Sequence, residues 1–459
     1  MTMNTGAFPR SQRAAVIGGG MAGLLAAHVL AEHFEHVVLI DRDEFPTAPE
    51  PRVGVPQARH AHLLLTRGRK LLEEIFPGLT AELTAAGAWP VDVTKDFVLH
   101  NLGYAMPQVA SQGQLQTLTL SRDLLEWAVR RRLNPKISFQ TGYAVESLVH
   151  DAATSRVIGL RAVRNKPSAD GQREALELPA DLVVDASGRG SLAPRWLETL
   201  GYGAPRETVV NPFAGYATRW YQLSPRTSWH TLVVHERRTG TILRVEKDLG
   251  IVTLVGTGKD YPPTDEAGFL EFARSLSLPE FHETLLKSEP LSPIHGFRKT
   301  ENRLRHYESL ERWPEGFLVL GDAACTFNPA YGQGMTLSAS TALRLKDCLK
   351  QQKRDASGIA LKGLGQRFQR LLAKDFRLPW LMATSEDARV PEVTGAQVTA
   401  FSKVAQRYMD EVVALAAQRP EVYIAFFSVI HMVSPPERLF HPSILLRVLP
   451  RMFREKREG

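Results

Sequence analysis

The chain has 459 residues, enough for two or three lobes around a large core, and its 44% hydrophobic and 23% charged content is that of an ordinary globular protein. The net charge of +7 suits anionic ligands, phosphates or a membrane surface. No aromatic-interleaved basic tract or nucleic-acid motif is present, so nucleic acid is excluded as an expected partner.

Two cysteines, Cys325 and Cys348, form neither a disulfide framework nor a metal-ligand spacing. No metal is expected, and a reducing cytoplasm is the expected compartment. Arg10 and Arg13 ahead of the apolar stretch 14–30 imitate a signal peptide or a membrane span. Three consecutive glycines split that stretch into a strand and a helix, which removes both readings.

Residues 1–12 read as a loose tail. The apolar run 14–17 then meets Gly18-Gly19-Gly20-Met21-Ala22-Gly23, an Ala/Leu-rich stretch, and a second apolar run, 37–40, ending on Asp41. That is strand, tight turn, helix, strand and acid. Gly18 permits the turn, Gly20 lets backbone approach a pyrophosphate, and Gly23 lets helix and strand pack closely. The amides and dipole of the helix start favour phosphate. Asp41, 18 residues past Gly23, is placed to accept hydrogen bonds from a ribose. These features in register predict dinucleotide binding without choosing between NAD and FAD.

Arg42 follows Asp41, and a Pro-rich loop runs to Pro56. Gln57-Ala58-Arg59-His60-Ala61-His62 leads into a helix expected over 63–75. His60 and His62, two apart, are expected to shape a loop on the cofactor side. Covalent flavin attachment through either is the alternative. Strands and a loop are expected over 91–118. A helix follows at 121–129 with Ser121 as its N-cap and Arg122 at its mouth, where it can meet a phosphate or pair with Asp123 or Glu126.

Strands are expected at 137–149, 157–163 and 182–185, with a polar turn at 166–173 and a glycine-rich turn over Asp185-Ala186-Ser187-Gly188-Arg189-Gly190-Ser191. Four β-rich segments, 216–223, 229–235, 241–245 and 251–255, predict a second sheet with Thr239-Gly240 as its hairpin signal. Tyr216, Trp220, Tyr221 and Trp229 belong to core or pocket. Helices are expected at 265–275 and 279–286.

A strand at 317–320 runs into Gly321-Asp322-Ala323-Ala324. Then Phe327-Asn328-Pro329-Ala330-Tyr331-Gly332-Gln333-Gly334-Met335-Thr336 opens a helix through 349. Helices at 363–373, 397–417 and 421–433 follow. The tail 438–457, with Phe440, Ile444, Leu445, Val448, Leu449 and Met452, is expected to pack on the protein rather than on a membrane.

Together these segments resemble the FAD-dependent monooxygenases of the para-hydroxybenzoate hydroxylase-like group. The resemblance rests on the 18–23 turn with Asp41, Arg122, the 185–191 turn, Gly321-Asp322, Asn328-Pro329 and Gly332-Gln333-Gly334-Met335. It implies an α/β fold: a Rossmann-like FAD-binding domain (GR2-type), an inserted β-rich substrate domain and a helical C-terminal region. The expected division is 13–95, 119–205 and 310–349 for FAD, 96–118 and 206–309 for substrate, and 350–459 for the helices.

The resemblance further implies that Gly18, Gly20, Gly23, Asp41, Arg42, Arg122, Asp322, Pro329, Gly332, Gly334 and Met335 bind FAD. A helix N-terminus beside the ring suits the negative charge of reduced flavin. The 185–191 turn departs from the common hydroxylase pattern, so NAD(P)H or a partner flavin reductase is the expected electron donor. Val55-Pro56-Gln57-Ala58-Arg59-His60-Ala61-His62, with Arg195-Trp196-Leu197-Glu198 and Gly215-Tyr216-Ala217-Thr218-Arg219, looks most like the polyether-type epoxidases.

The implied reaction inserts one oxygen of dioxygen through a peroxyflavin into an electron-rich, hydrophobic small molecule, as an alkene epoxidation in a natural-product intermediate. Aromatic hydroxylation and a geranylgeranyl-reductase-type dehydrogenase are the alternatives. A halogenase lacks its Trp-x-Trp-x-Ile-Pro signature here. A decayed escort protein would have lost the 321–335 segments. No catalytic acid or base is assigned; Arg59, His60, Arg219 and Arg298 are the polar candidates.

Overall fold

The computed structural model describes residues 12–167, 171–224, 229–235, 237–355 and 358–452. The expected tail at 1–11 and part of the polar turn at 166–173 lie outside these residues.

Five strands form a parallel sheet in the order Phe317–Val319, Leu182–Asp185, Arg13–Ile17, His36–Asp41, Ile137–Thr141. Val16 lies opposite Leu39 on one side and Val184 on the other. Residues 14–17 and 182–185 are buried along their whole length, as strands covered on both faces require. The helices Met21–Leu30 and Gly334–Lys350 pack against each other on this core.

The strand expected over 137–149 is two strands. Gly142, with φ +77°, ends the parallel-sheet strand, and Tyr143–Asp151 joins Arg156–Arg164 and Ala175–Pro179 in a separate antiparallel sheet. The helix expected from 63 begins only at Thr66, because 63–65 is extended backbone.

A mostly antiparallel eight-stranded sheet is built on Gly215–Gln222, Leu249–Gly256, Arg238–Arg244 and Thr231–His235, with Phe97–Asn101 added in parallel. Side chains alternate between its faces. Ala217, Tyr221, Leu232, Ile242, Val252 and Leu254 pack beneath Phe269, Phe272, Phe281 and Leu285 of helices Glu266–Arg274 and Pro279–Leu286. Thr239-Gly240 is not the hairpin turn. Both residues pair inside a strand, with His235 and Val234. A Cβ on Gly240 would lie 2.4 Å from Leu276 and 2.8 Å from Phe281, so this glycine serves the close approach of the covering helices.

The helix expected to stop at 373 continues to Asp387 as Leu364–Asp387. Phe368, Leu372 and Phe376 keep it on the main core, and Gln369 donates from Nε2 to the Val319 carbonyl at 2.9 Å. Helices Ala400–Ala416, Pro420–Ile430 and Pro442–Met452 share a second core with Val91, Phe97 and Leu99. Ile444, Val448 and Met452 of the tail are buried there, and the Phe440 ring stacks on Tyr408. The architecture is therefore the expected Rossmann-like α/β core, β-rich sheet and helical C-terminal region. Among the described residues no helix is long and apolar enough to cross a membrane.

Candidate active site

The glycine turn is fixed by sterics. Gly18 has φ +98°, and a Cβ there would lie 2.6 Å from the Ala186 carbonyl oxygen; at Gly23 it would lie 1.8 Å from the Gly18 oxygen. At Gly20, the N-cap of the first helix, a Cβ would meet nothing within 4 Å. That helix has no side-chain cap and no acid in its first turn, so its first amides are left for a ligand.

Asp41 accepts from the Gly19 amide at 2.5 Å and from the Asp43 amide at 2.8 Å. Lone pairs remain on both oxygens for ribose hydroxyls. Burial raises its carboxyl above the usual range, while those amides and Arg52 pull it back down.

Arg52 escaped the sequence reading. Its guanidinium lies 3.7 Å from both Asp41 and Asp43, donates to the Gly19 carbonyl at 3.0 Å and pairs closely with Glu126. Arg122 also pairs with Glu126, at 3.3 Å, four residues along its helix Arg122–Arg131. Ser121 caps that helix as expected, its Oγ accepting from the Leu124 amide at 3.1 Å. By contrast the Arg42 side chain is exposed, and its carbonyl accepts from Asn165.

Gly321, with φ +62°, crosses the start of the first helix so closely that a Cβ would lie 2.6 Å from Ala22. This brings Asp322 within the fields of Arg122 and Arg189. Burial raises its carboxyl, and the two guanidiniums oppose that rise. Three sequence-distant segments thus meet at one acid. In the 185–191 turn, Asp185 faces inward: its carboxylate accepts from the Ser187 amide at 2.9 Å and the Ser191 hydroxyl at 2.5 Å.

The second open helix start is Gly334–Lys350. It has no side-chain cap and no acid in its first turn, Gly334 is exposed, and a Cβ on it would meet nothing within 4 Å. Gln333 Oε1 beside it is buried with no partner among the described residues. Met335 is buried in the main core, whereas Pro329 is exposed on the preceding turn. Gly332, with φ +63°, closes that turn against the Leu63 carbonyl.

A buried network holds this turn from behind. Asn328 donates to Asp387 at 3.0 Å, and the Tyr331 hydroxyl donates to the same oxygen at 2.5 Å. Asn302 donates to the other oxygen and accepts from the Asn328 amide at 2.7 Å. Tyr216 of the large sheet donates to Asn328 Oδ1 at 2.8 Å. Burial pushes the Asp387 carboxyl up to about 6 against the pull of these donors. Asp387 and Asn302 also went unread, since they lie 59 and 26 residues from Asn328.

Residues 56–65 run between the Gly334 helix and the large sheet. His60 Nδ1 lies 2.7 Å from Thr218 Oγ1, and Thr218 Oγ1 lies 2.8 Å from Thr253 Oγ1. The Ala61 amide donates to Thr253 Oγ1 at 3.0 Å. Tyr216 and Phe297 flank the His60 ring, whose pKa burial lowers to about 4. His62 Nε2 donates to the Gln57 carbonyl at 2.7 Å, and burial beside Arg122 lowers its pKa to about 3. Both imidazoles are neutral at pH 7.

Arg59 is exposed and reaches His295 at 3.3 Å. Arg219 points to the opposite face of the sheet, bonded to Ser292 and Glu266, and Arg298 stacks over Tyr261. Of the four polar candidates, only His60 is buried against the sheet face beside the Gly334 turn.

Two packed helices with open, uncapped starts, together with the Asp41 carboxylate and an Asp322–Arg122–Arg189 cluster, fit FAD. The amides suit its pyrophosphate and an electron-rich ring edge, and the room left at Gly20 and Gly334 suits close backbone approach.

Comparisons with known proteins point to the same cofactor. A family model described as FAD binding domain matches residues 11–362. Protein Rv3254 of Mycobacterium tuberculosis is 32% identical over 424 residues, covering 89% of this chain and 86% of that protein. Kynurenine 3-monooxygenase of Salinispora arenicola is 26% identical, covering 76% and 75% respectively. The fold is shared with the structure of PqsL, a probable FAD-dependent monooxygenase from Pseudomonas aeruginosa. Its TM-score is 0.61 at 16% identity, with 83% of this chain and 97% of that one covered.

Proposed function

We propose, from the premise that this chain belongs to the FAD binding domain family and is an FAD-dependent monooxygenase of the para-hydroxybenzoate hydroxylase-like group, that it epoxidises an alkene in a hydrophobic natural-product intermediate. Bound FAD, reduced by NAD(P)H directly or through a partner flavin reductase, supplies the activation of dioxygen. The chain's own residues bind, orient and exclude water.

In this reading Gly18, Gly20 and Gly23 carry the pyrophosphate, Asp41 the ribose, and Arg42 contributes from the exposed rim. Arg122 and Asp322 hold the middle of the cofactor. Pro329, Gly332, Gly334 and Met335 set backbone against the ring. The FAD-binding region spans 13–95, 119–205 and 310–349, the substrate region 96–118 and 206–309, and the helical region 350–459, in a cytoplasmic protein.

The observation that supports epoxidation over hydroxylation is that no carboxylate among the described residues bonds directly to the polar groups of the sheet face: His60 bonds to Thr218 and Tyr216 to Asn328. His60 sits near pKa 4, and burial raises Tyr216 above its ordinary value. Asp387 is turned into its own network behind Asn328. Replacing an aromatic C–H by C–OH requires a proton to leave the ring carbon; adding oxygen across C=C releases none. A face that offers a weakly basic imidazole and no carboxylate suits the second reaction. The likeness to a kynurenine 3-monooxygenase favours aromatic hydroxylation as the second reading.

The test supplies the FAD-loaded enzyme with NAD(P)H, labelled dioxygen, and matched polyene and phenol panels. One labelled oxygen in an epoxide is expected. Label in a phenol instead selects the hydroxylase, and unlabelled product overturns monooxygenation.

A further inference from the structure

We propose that the Ala61–Thr253–Thr218–His60 hydrogen-bond chain fixes His60 as an Nε2–H donor that binds a neutral oxygen acceptor on an otherwise apolar substrate. This rests on the monooxygenase reading and names the substrate chemistry of the same site.

Proton counting along the chain sets its direction. The Ala61 amide can only donate, so Thr253 Oγ1 accepts there. Thr253 and Thr218 are 4% and 0% exposed, and among the described residues their hydroxyls meet only each other, His60 Nδ1 and the Ala61 amide. Were His60 Nδ1 to donate to Thr218, the Thr218 proton would go to Thr253. The Thr253 proton would then have no acceptor among the described residues.

In the reverse order every proton is placed: Thr253 donates to Thr218, Thr218 donates to Nδ1, and the ring proton sits on Nε2. The only hydrogen bond that the His60 ring makes to the described residues is the one at Nδ1, which leaves Nε2–H for a ligand in a residue 7% exposed.

The surroundings define what it binds. Tyr216 and Phe297 flank the imidazole at ring-centroid distances of 6.1 and 5.4 Å, giving the donor apolar walls. Arg59 and His295 on its outer side disfavour protonation, so the donor is a dipole and not a cation. A dipole among aromatics recognises a ketone, ether or hydroxyl oxygen. It gives a carboxylate no ion pair to offset its lost hydration.

Two readouts on oxidised FAD-loaded protein test this, neither consuming oxygen. Nitrogen-15 histidine spectra should report His60 Nδ1 unprotonated and Nε2 protonated. Thr218→Val should disturb this and Thr218→Ser preserve it.

Binding of 2-acetylnaphthalene, 2-ethylnaphthalene and 2-naphthoate, read from the flavin absorbance, should favour the ketone over the hydrocarbon about tenfold, one hydrogen bond's worth. The carboxylate should gain nothing over the ketone. His60→Phe should erase the ketone preference while retaining FAD. If that variant does not fold, His60→Asn, too short to reach the Nε2 position, makes the same distinction.

A protonated Nδ1, equal ketone and hydrocarbon binding in the native protein, or a preference that survives loss of the imidazole overturns the proposal. None of these outcomes changes the labelled-oxygen result, and failure of that result leaves the tautomer and binding data standing.

Discussion

The proposed cofactor cradle and the large sheet beside it are built from different materials. The cradle is largely backbone: glycines that a Cβ would jam at 18 and 23, glycines left open at 20 and 334, and two uncapped helix starts. The sheet face is side chain: Tyr216, Thr218, Thr253 and the His60 that lies across them. Backbone geometry depends on a few consecutive residues and tolerates almost no substitution. A side-chain wall is assembled from segments up to 192 residues apart and can be re-tailored one residue at a time. One scaffold can therefore keep a cofactor while changing substrates.

The sharpest way to break this contrast is at Arg52, where a side chain props the cradle. Arg52→Ala leaves Asp41, Asp43 and Glu126 short of a buried partner. It should cost about 3–5 kcal/mol in denaturant unfolding. An Arg52→Met/Glu126→Leu pair should cost less than either single change. Equal stability of Arg52→Ala and native protein would mean that the guanidinium is idle.

Next in size are the glycines. Gly23→Ala forces a Cβ to 1.8 Å from the Gly18 oxygen and should cost about 3 kcal/mol. Gly20→Ala meets nothing and should leave apoprotein stability within about 0.5 kcal/mol. It should still weaken FAD binding about tenfold by crowding the phosphate approach, or ~1.4 kcal/mol. If both variants lose stability equally, the distinction between packing and ligand-facing glycines fails.

Asp387 sharpens the comparison at the seam between the two regions. Burial holds its carboxyl near 6, above the unfolded value, so the native state binds this proton more tightly than the unfolded chain does. The resulting stability is complete below about pH 4 and is lost as pH rises through 6. Relative to non-titrating Asp387→Asn, the native protein should lose about 2 kcal/mol between pH 4 and 7. Parallel stability curves for the two proteins would contradict this. The smallest effect is expected at exposed Arg42. Arg42→Ala should leave folding unchanged and weaken FAD binding by no more than about 1 kcal/mol, less at high salt.

The same contrast explains what could be read from the sequence. The 18–23 turn, Asp41, the Ser121 cap and the Gly334 helix start are local, so their residue types and spacing carry the meaning. Arg52 and Asp387 find partners only after folding, and a lone arginine in a proline-rich loop or a lone acid at a helix end gives no spacing to notice. Two of the misplaced elements have the same origin. Gly240 resembles a turn residue until the helices above it are known, and Leu364–Asp387 runs on past Pro379 because the two cores it touches hold it. Tertiary packing overrode local propensity in both.

The central claim is that a flavin lies between the two open helix starts with its reactive edge toward Tyr216 and His60. A crystal structure of the FAD-loaded protein tests it directly. The account predicts the pyrophosphate at the Gly20–Ala22 amides and the ring edge at the amides following Gln333. A cofactor held elsewhere, with those amides facing solvent, would contradict it.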